Sequence, residues 1–462
     1  MAKRSEEAFR ELSTSGNLFR VIMEVGLPLA LFTLFNSAFN ILDMMMASHV
    51  STVAVSAIAY LTQLQQVVYA IGQGFVAGSM ARINRCFGQK DYKETRYYTN
   101  QLLLLITLIS LAVIVTLPFM PMILRLIRTP EEFIDVGSMY FSMLLLATCI
   151  NFYNQVFINI EKTRGNTRKI MVLNIASMVL KLLLTALFIY GLNGDVIMIS
   201  LASLISYLFI FSFALACLLD RKSHFSLSLP LLHFNRKRCG DLTQISYPLA
   251  IEKSSFSIGK ALVNSMIISY GSSMVGALGI SNNLTALSTN FINGFADSES
   301  AIVSQNIGAG RWDRAVRTYF ITTAIVSLTN IVLSLILITF SSSLIHLFSM
   351  TRNGVDHDFE LLIASVFRYD LIGCLLLVVN SANVGFLVGI GKTKLSLAIG
   401  FSRMFLFRIP VLLFLEHFTS FGAAIPGIMM MISHFLSGIF STILVLYELW
   451  KIRKNTFSSS FS

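Results

Sequence analysis

Twelve apolar runs leave this chain little choice of fold. They cover residues 21–47, 52–80, 101–123, 137–160, 169–190, 195–219, 246–270, 275–302, 319–347, 361–389, 395–415 and 422–449. As a helix rising about 1.5 Å per residue, each run can cross a hydrocarbon core of about 30 Å. Only 13% of the residues are charged and the mean hydropathy is +0.71, against a charged share of about a quarter in soluble domains. The expected fold is all-α: a polytopic membrane protein of twelve transmembrane helices.

The basic residues orient these spans. Of 35 lysines and arginines, 26 lie in the N-terminal segment, the even-numbered connections and the tail, 3 on the opposite side and 6 within spans. Positive charge favours the cytoplasmic face, so both termini are expected there, in the plasma (inner) membrane. The same rule accounts for the net charge of +11 without a nucleic-acid partner. Residues 1–20 are polar and lack the apolar core of a signal peptide. The five cysteines form no CxxC pair and the seven histidines no HExxH, so no disulfide framework, metal site or cofactor is expected. GxSxG and P-loop patterns are also missing, which argues against an enzyme.

The chain repeats itself at an offset of 220. Leu27-Pro28-Leu29-Ala30 matches Tyr247-Pro248-Leu249-Ala250, Gly74-Phe75-Val76-Ala77 matches Gly294-Phe295-Ala296-Asp297, and Gly88 matches Gly308. Later the offset becomes 226, with Gly165-Asn166-Thr167-Arg168 against Gly391-Lys392-Thr393-Lys394. The reading is a cytoplasmic segment 1–20, an N-lobe 21–219, a basic linker 220–245, a C-lobe 246–450 and a cytoplasmic tail 451–462. Six spans per half is an even number, so the repeats are parallel, with a cleft between them suited to alternating access.

Span one carries Thr33, Asn36, Asn40 and Asp43 on one helical face. A single polar face in a membrane span points at protein or a water-filled cavity. The repeat-related face of span seven is basic, with Lys253 and Lys260. Spans two and eight keep amides at equivalent positions, Gln63 and Gln73 against Asn283 and Asn293. These residues, with Asn154 on span four, are the candidate lining of the cleft. Amides in such helices also serve as helix–helix hydrogen bonds. Lys181 on span five is a candidate partner for Asp43, with Lys260 as its rival. An Asp43–Lys181 pair could be purely structural.

The loops FGQKDYKETRYYTNQ and QNIGAGRWDRA, the stretches FINIEKTRGNTRK and FLVGIGKTK, and the run from Phe401 to Pro410 resemble the multidrug and toxic compound extrusion (MATE) family over nearly the whole chain. The resemblance implies a V-shaped, two-lobe antiporter that exports organic cations and other amphipathic compounds in exchange for protons or sodium. FNILD, ending at Asp43, is similar to the YNLVD pattern that some members carry in span one. By that resemblance Asp43 is the ion-coupling carboxylate. The family's N-lobe cation site on span five is replaced here by Lys181 and Thr185, and its C-lobe carboxylates on spans seven and ten by Phe256 and Leu377. An ammonium repels sodium, so protons are the expected coupling ion. The expected protein is a monomeric multidrug exporter. The alternative within the same superfamily is a flippase for a lipid-linked or anionic substrate, with Lys253 and Lys260 on its phosphate.

Overall fold

The computed structural model describes residues 6–459 apart from 48–51, 127–128, 130, 193, 195, 352–353 and 356. Its helices in chain order are α1 (Glu6–Ser15), α2 (Leu18–Ala47), α3 (Thr52–Gly88), α4 (Tyr92–Thr116), α5 (Met120–Leu126), α6 (Glu131–Thr163), α7 (Thr167–Ala186) and α8 (Val196–Leu219). The second half supplies α9 (Arg236–Ile267), α10 (Ser272–Gly308), α11 (Trp312–Thr339), α12 (Ser341–Ser349), α13 (His357–Gly389), α14 (Thr393–Phe401), α15 (Ile409–Phe418) and α16 (Ile425–Ser459). A two-residue antiparallel ladder, Met350–Thr351 with Gly354–Val355, leads into α13.

Omitting the short α1, α5 and α12 and joining α14 to α15 gives twelve long helices, one per apolar run. Among the described residues, nine of them are long and apolar enough to cross a membrane. The other three, α3, α9 and α10, are 37, 32 and 37 residues long. They are the helices that carry the paired amides and the lysines, which lowers their hydropathy.

The helices form two compact units. Unit one comprises Met1–Gly16, Phe35–Ser257 and Ser304–Gly310, and unit two comprises Asn17–Leu34, Ile258–Val303 and Arg311–Ser462. The boundary between units therefore falls inside α2, inside α9 and near the end of α10. Unit one has its core on α3, α4 and α6, where Ile83, Phe87, Leu102, Phe152 and Ile160 are fully buried. Unit two has a core of Ala277, Leu284, Ile363, Phe367 and Leu371, from α10 and α13.

The repeat seen in the sequence reappears as matched contacts. In unit one, a Cβ added to Gly74 would stand 2.7 Å from the carbonyl carbon of Leu249. In unit two, a Cβ on Gly294 would stand 2.7 Å from the carbonyl carbon of Leu29. Each residue lies 220 positions from its counterpart. Only glycine lets these backbones approach so closely, as small residues do between membrane helices. The turns repeat too: Gly165 and Gly391 adopt φ values of 76° and 80°, a region costly for side-chain-bearing residues. Pro28 and Pro248 sit inside α2 and α9, and each deletes one helical hydrogen bond.

The cytoplasmic end of unit one is closed by charge. Arg164 bonds Glu161 and Glu6, both at 2.8 Å, and also donates to the Ser223 hydroxyl. Asn166 donates to the second oxygen of Glu161 at 2.8 Å. Glu161 is 1% exposed, so its charge depends on these partners. Phe9 of α1 is buried against Gly165. These contacts fasten α1 to the α6–α7 turn.

Candidate functional site

The polar residues expected from the sequence divide between the two units. Unit one holds Asn36, Gln63, Gln73, Asn154, Lys181 and Lys253, and unit two holds Lys260, Asn283 and Asn293. Asn40 and Asp43 belong to α2, but their side chains lie outside the described residues. The Asp43–Lys181 pairing is outside them for the same reason.

In unit one, Asn36 and Gln63 are exposed, while Gln73, Lys181 and Lys253 are half-buried. The buried amide of span two is Gln65, which donates to the Thr148 hydroxyl at 2.9 Å. Asn154 is fully buried and donates to the carbonyl of Tyr207 at 3.0 Å. It ties α6 to α8, and its own carbonyl oxygen has no hydrogen-bond partner. Thr33 donates to the carbonyl of Asn290 at 2.7 Å, tying α2 to α10 in unit two. Lys260 and Asn283 are exposed, and Asn293 accepts from Ser381 at 3.1 Å.

Unit two contains a second polar constellation, built on α10, α13 and α16. Asp370 is 1% exposed and lies deep in α13. Its Oδ2 accepts from Ser281 at 3.3 Å and from Thr285 at 3.1 Å. Its Oδ1 stands 3.3 Å from Nε2 of His434, itself 2% exposed. Arg408 is 3% exposed and donates from Nε to Ser433 at 3.4 Å, one residue before His434. A π-helical segment, Ser402–Arg408, interrupts α14 and α15 and ends at Arg408. Such segments recur at functional positions because they re-aim side chains. A buried carboxylate, imidazole and guanidinium together can hold charge in hydrocarbon and pass a proton between oxygen and nitrogen.

Nothing in the sequence pattern links these residues. Asp370 is the one acid in span ten, and Arg408 lies in the Phe401–Pro410 run that resembles the MATE family. Their meeting depends on three helices converging.

On the cytoplasmic side, Arg238 grips Glu94 with two bonds, 2.7 and 3.2 Å, and lies over the Tyr97 ring at 4.2 Å. The Glu94 hydrogen bond raises the Arg238 guanidinium above its ordinary value. This pair pins the basic linker to α4. Among the described residues, no group of three or more His, Cys, Asp or Glu side chains could hold a metal ion.

Two six-helix halves with matched glycine contacts and intramembrane charge define a polytopic transport-type membrane protein. The MatE family model matches residues 28–187 and 248–414, once per half. The chain belongs to the MatE family.

Among its relatives, the chain is similar to the multidrug export protein MepA of Staphylococcus aureus (strain NCTC 8325 / PS 47), with 21% identity over 64% of this chain and 66% of MepA. The alignment thus spans just under two thirds of that relative. The FAD transporter of Shewanella oneidensis is 20% identical over 86% of this chain and 88% of its own length. Among solved structures, a MATE protein crystallised in complex with MaL6 superposes with a TM-score of 0.91 at 18% identity, covering 96% of this chain and 99% of that one. The twelve-helix fold is therefore that of MATE transporters.

Proposed function

We propose that this protein is a secondary active antiporter that exports small amphipathic or cationic compounds in exchange for protons, by alternating access. The observation that carries the reading is the MatE match, which falls on both halves of an internally repeated membrane fold. A family match in each half suits two similar bundles that work around a site near the midplane.

In this mechanism Asp43 is the coupling carboxylate and Lys181 its counter-charge. Ionised Asp43 attracts Lys181 and holds the N-terminal helices in one arrangement. A proton arriving from the outer side removes that attraction. Span one then shifts, and a substrate held by amides such as Asn36, Asn40, Gln63 and Gln73 is released.

A second reading takes an anionic substrate. It is favoured by Lys253 and Lys260 on span seven and by the FAD transporter of Shewanella oneidensis, which aligns over 86% of this chain. Here the lysines contact substrate phosphate.

Efflux from proteoliposomes under an imposed pH or sodium gradient tests both. A fluorescent organic cation expelled under the pH gradient, and retained in Asp43→Asn, is the expected result. Full-rate pumping by a folded Asp43→Asn protein defeats the coupling role. Transport of FAD but not the cation, lost in Lys253→Gln or Lys260→Gln, replaces the first reading with the second.

A further inference from the structure

A groove of about 800 Å³ opens on unit two, between α11, α12 and one face of α13. Phe367 and Leu371 form its floor and belong to the unit's core. Its rim is the opposite in character: Leu335, Ile338 and Leu361 are 59%, 57% and 68% exposed. The groove thus opens sideways, where the apolar spans meet hydrocarbon.

Two charges stand on this otherwise apolar wall. Glu360 is in the first turn of α13, and Arg368 lies about 12 Å further along the helix at about 1.5 Å per residue. Both line the groove. Arg368 is exposed and, among the described residues, makes no ion pair or hydrogen bond. An arginine inside a membrane span needs a counter-charge. Glu360 stands near the groove's mouth, with its oxygens 3.6 Å from His346 and 3.3 Å from His357. The hydroxyl-bearing Ser341 and Ser342 complete the polar edge. The distribution of basic residues puts this end of α13 on the outer side.

From this arrangement we infer that the groove binds a zwitterionic aminophospholipid of the outer leaflet. Its phosphate meets the Arg368 guanidinium, whose stem extends toward the headgroups. Its ammonium meets Glu360, and one acyl chain lies over Phe367 and Leu371. A net-negative headgroup without an amine would face Glu360 unpaired. A cationic amphiphile would meet Arg368 with like charge. A bare hydrocarbon chain would leave Arg368 without a counter-ion.

Native mass spectrometry of the detergent-purified protein, incubated with dioleoyl phosphatidylethanolamine or dioleoyl phosphatidylglycerol, reads out the retained lipid. The wild type should retain phosphatidylethanolamine about tenfold more than phosphatidylglycerol, a difference the size of one charge-assisted contact. Arg368→Gln should lose retention of both lipids. Glu360→Gln should keep binding but lose the discrimination. Leu335→Trp, which fills the slot from its rim without removing a charge, should also reduce retention and guards against loss of Arg368 simply unfolding the protein. Equal retention of the two lipids by the wild type overturns the inference. So does a Leu335→Trp or folded Arg368→Gln protein that keeps phosphatidylethanolamine at the wild-type level.

Discussion

Replacing Gly74 by alanine should separate α3 from α9. The added methyl would stand 2.7 Å from the Leu249 carbonyl carbon, about 0.7 Å inside ordinary contact, which begins at 3.4 Å. Its nearest neighbours are backbone atoms of Leu249 and Ala250, which cannot rotate away as a side chain would. Relief has to come from moving the helices, and overpacking of this kind costs about 1–3 kcal/mol. That is roughly a 5- to 150-fold loss in the ratio of folded to unfolded protein. The matched position predicts the same cost for Gly294→Ala, against Leu29. Gly279→Ala, also within a helix but with nothing within 4 Å of its added Cβ, should be neutral or gain up to about 1 kcal/mol of helix propensity. Titration with SDS, followed by circular dichroism, ranks the three variants against the wild type. If Gly74→Ala and Gly294→Ala unfold at or above the wild-type midpoint, the close-packing argument is wrong. A loss of equal size in Gly279→Ala would point to a general glycine effect instead.

Two further outcomes follow from the buried charges. Glu161→Ala removes one of the two carboxylates paired with Arg164, 8% exposed on its side chain, and leaves Glu6 alone to balance it; the cost should be about 3 kcal/mol, the low end of the penalty for breaking a buried pair. A thermal melt of the purified variant measures this, and a melt unchanged from wild type rejects it. Asp370→Ala removes the acceptor of Ser281 and Thr285 and the neighbour of His434, with a loss of similar size expected on the same principle. Asp370→Asn, which keeps the size and can still accept the two hydroxyls, should recover most of that stability. If both variants are equally unstable, the carboxylate charge rather than its hydrogen bonds holds the cluster.

The architecture was legible in the sequence because two simple periodicities encode it. Apolar run length marked the helices, and the 220-residue offset marked the paired contacts of Gly74 and Gly294. The candidate amides were harder. Span two has several glutamines, and nothing in their spacing told that Gln65, rather than its neighbours, would be the one buried against Thr148. The Asp370 cluster was illegible for a different reason. Arg408 and His434 lie 38 and 64 residues after Asp370, and Ser281 lies 89 residues before it, so the cluster draws on four separate segments. A π-helical segment also breaks the 3.6-residue rhythm just before Arg408, so helical counting misplaces its side chain. The division of α2 and α9 between the two units left no compositional mark, because a helix that changes partners midway keeps the same apolar pattern throughout.

That division has a consequence for how the chain reaches its folded state. Unit one needs the stretch Arg236–Ser257 of α9, and unit two needs Asn17–Leu34 of α2. A polypeptide ending in the 220–245 linker therefore lacks a helix that unit one uses, and the remainder lacks one that unit two uses. A first half made alone should therefore lack the α9 backbone against which Gly74 packs. Expressed as separate fragments, the two halves of the gene would each be incomplete, and would reach the native fold only by trading helices with one another.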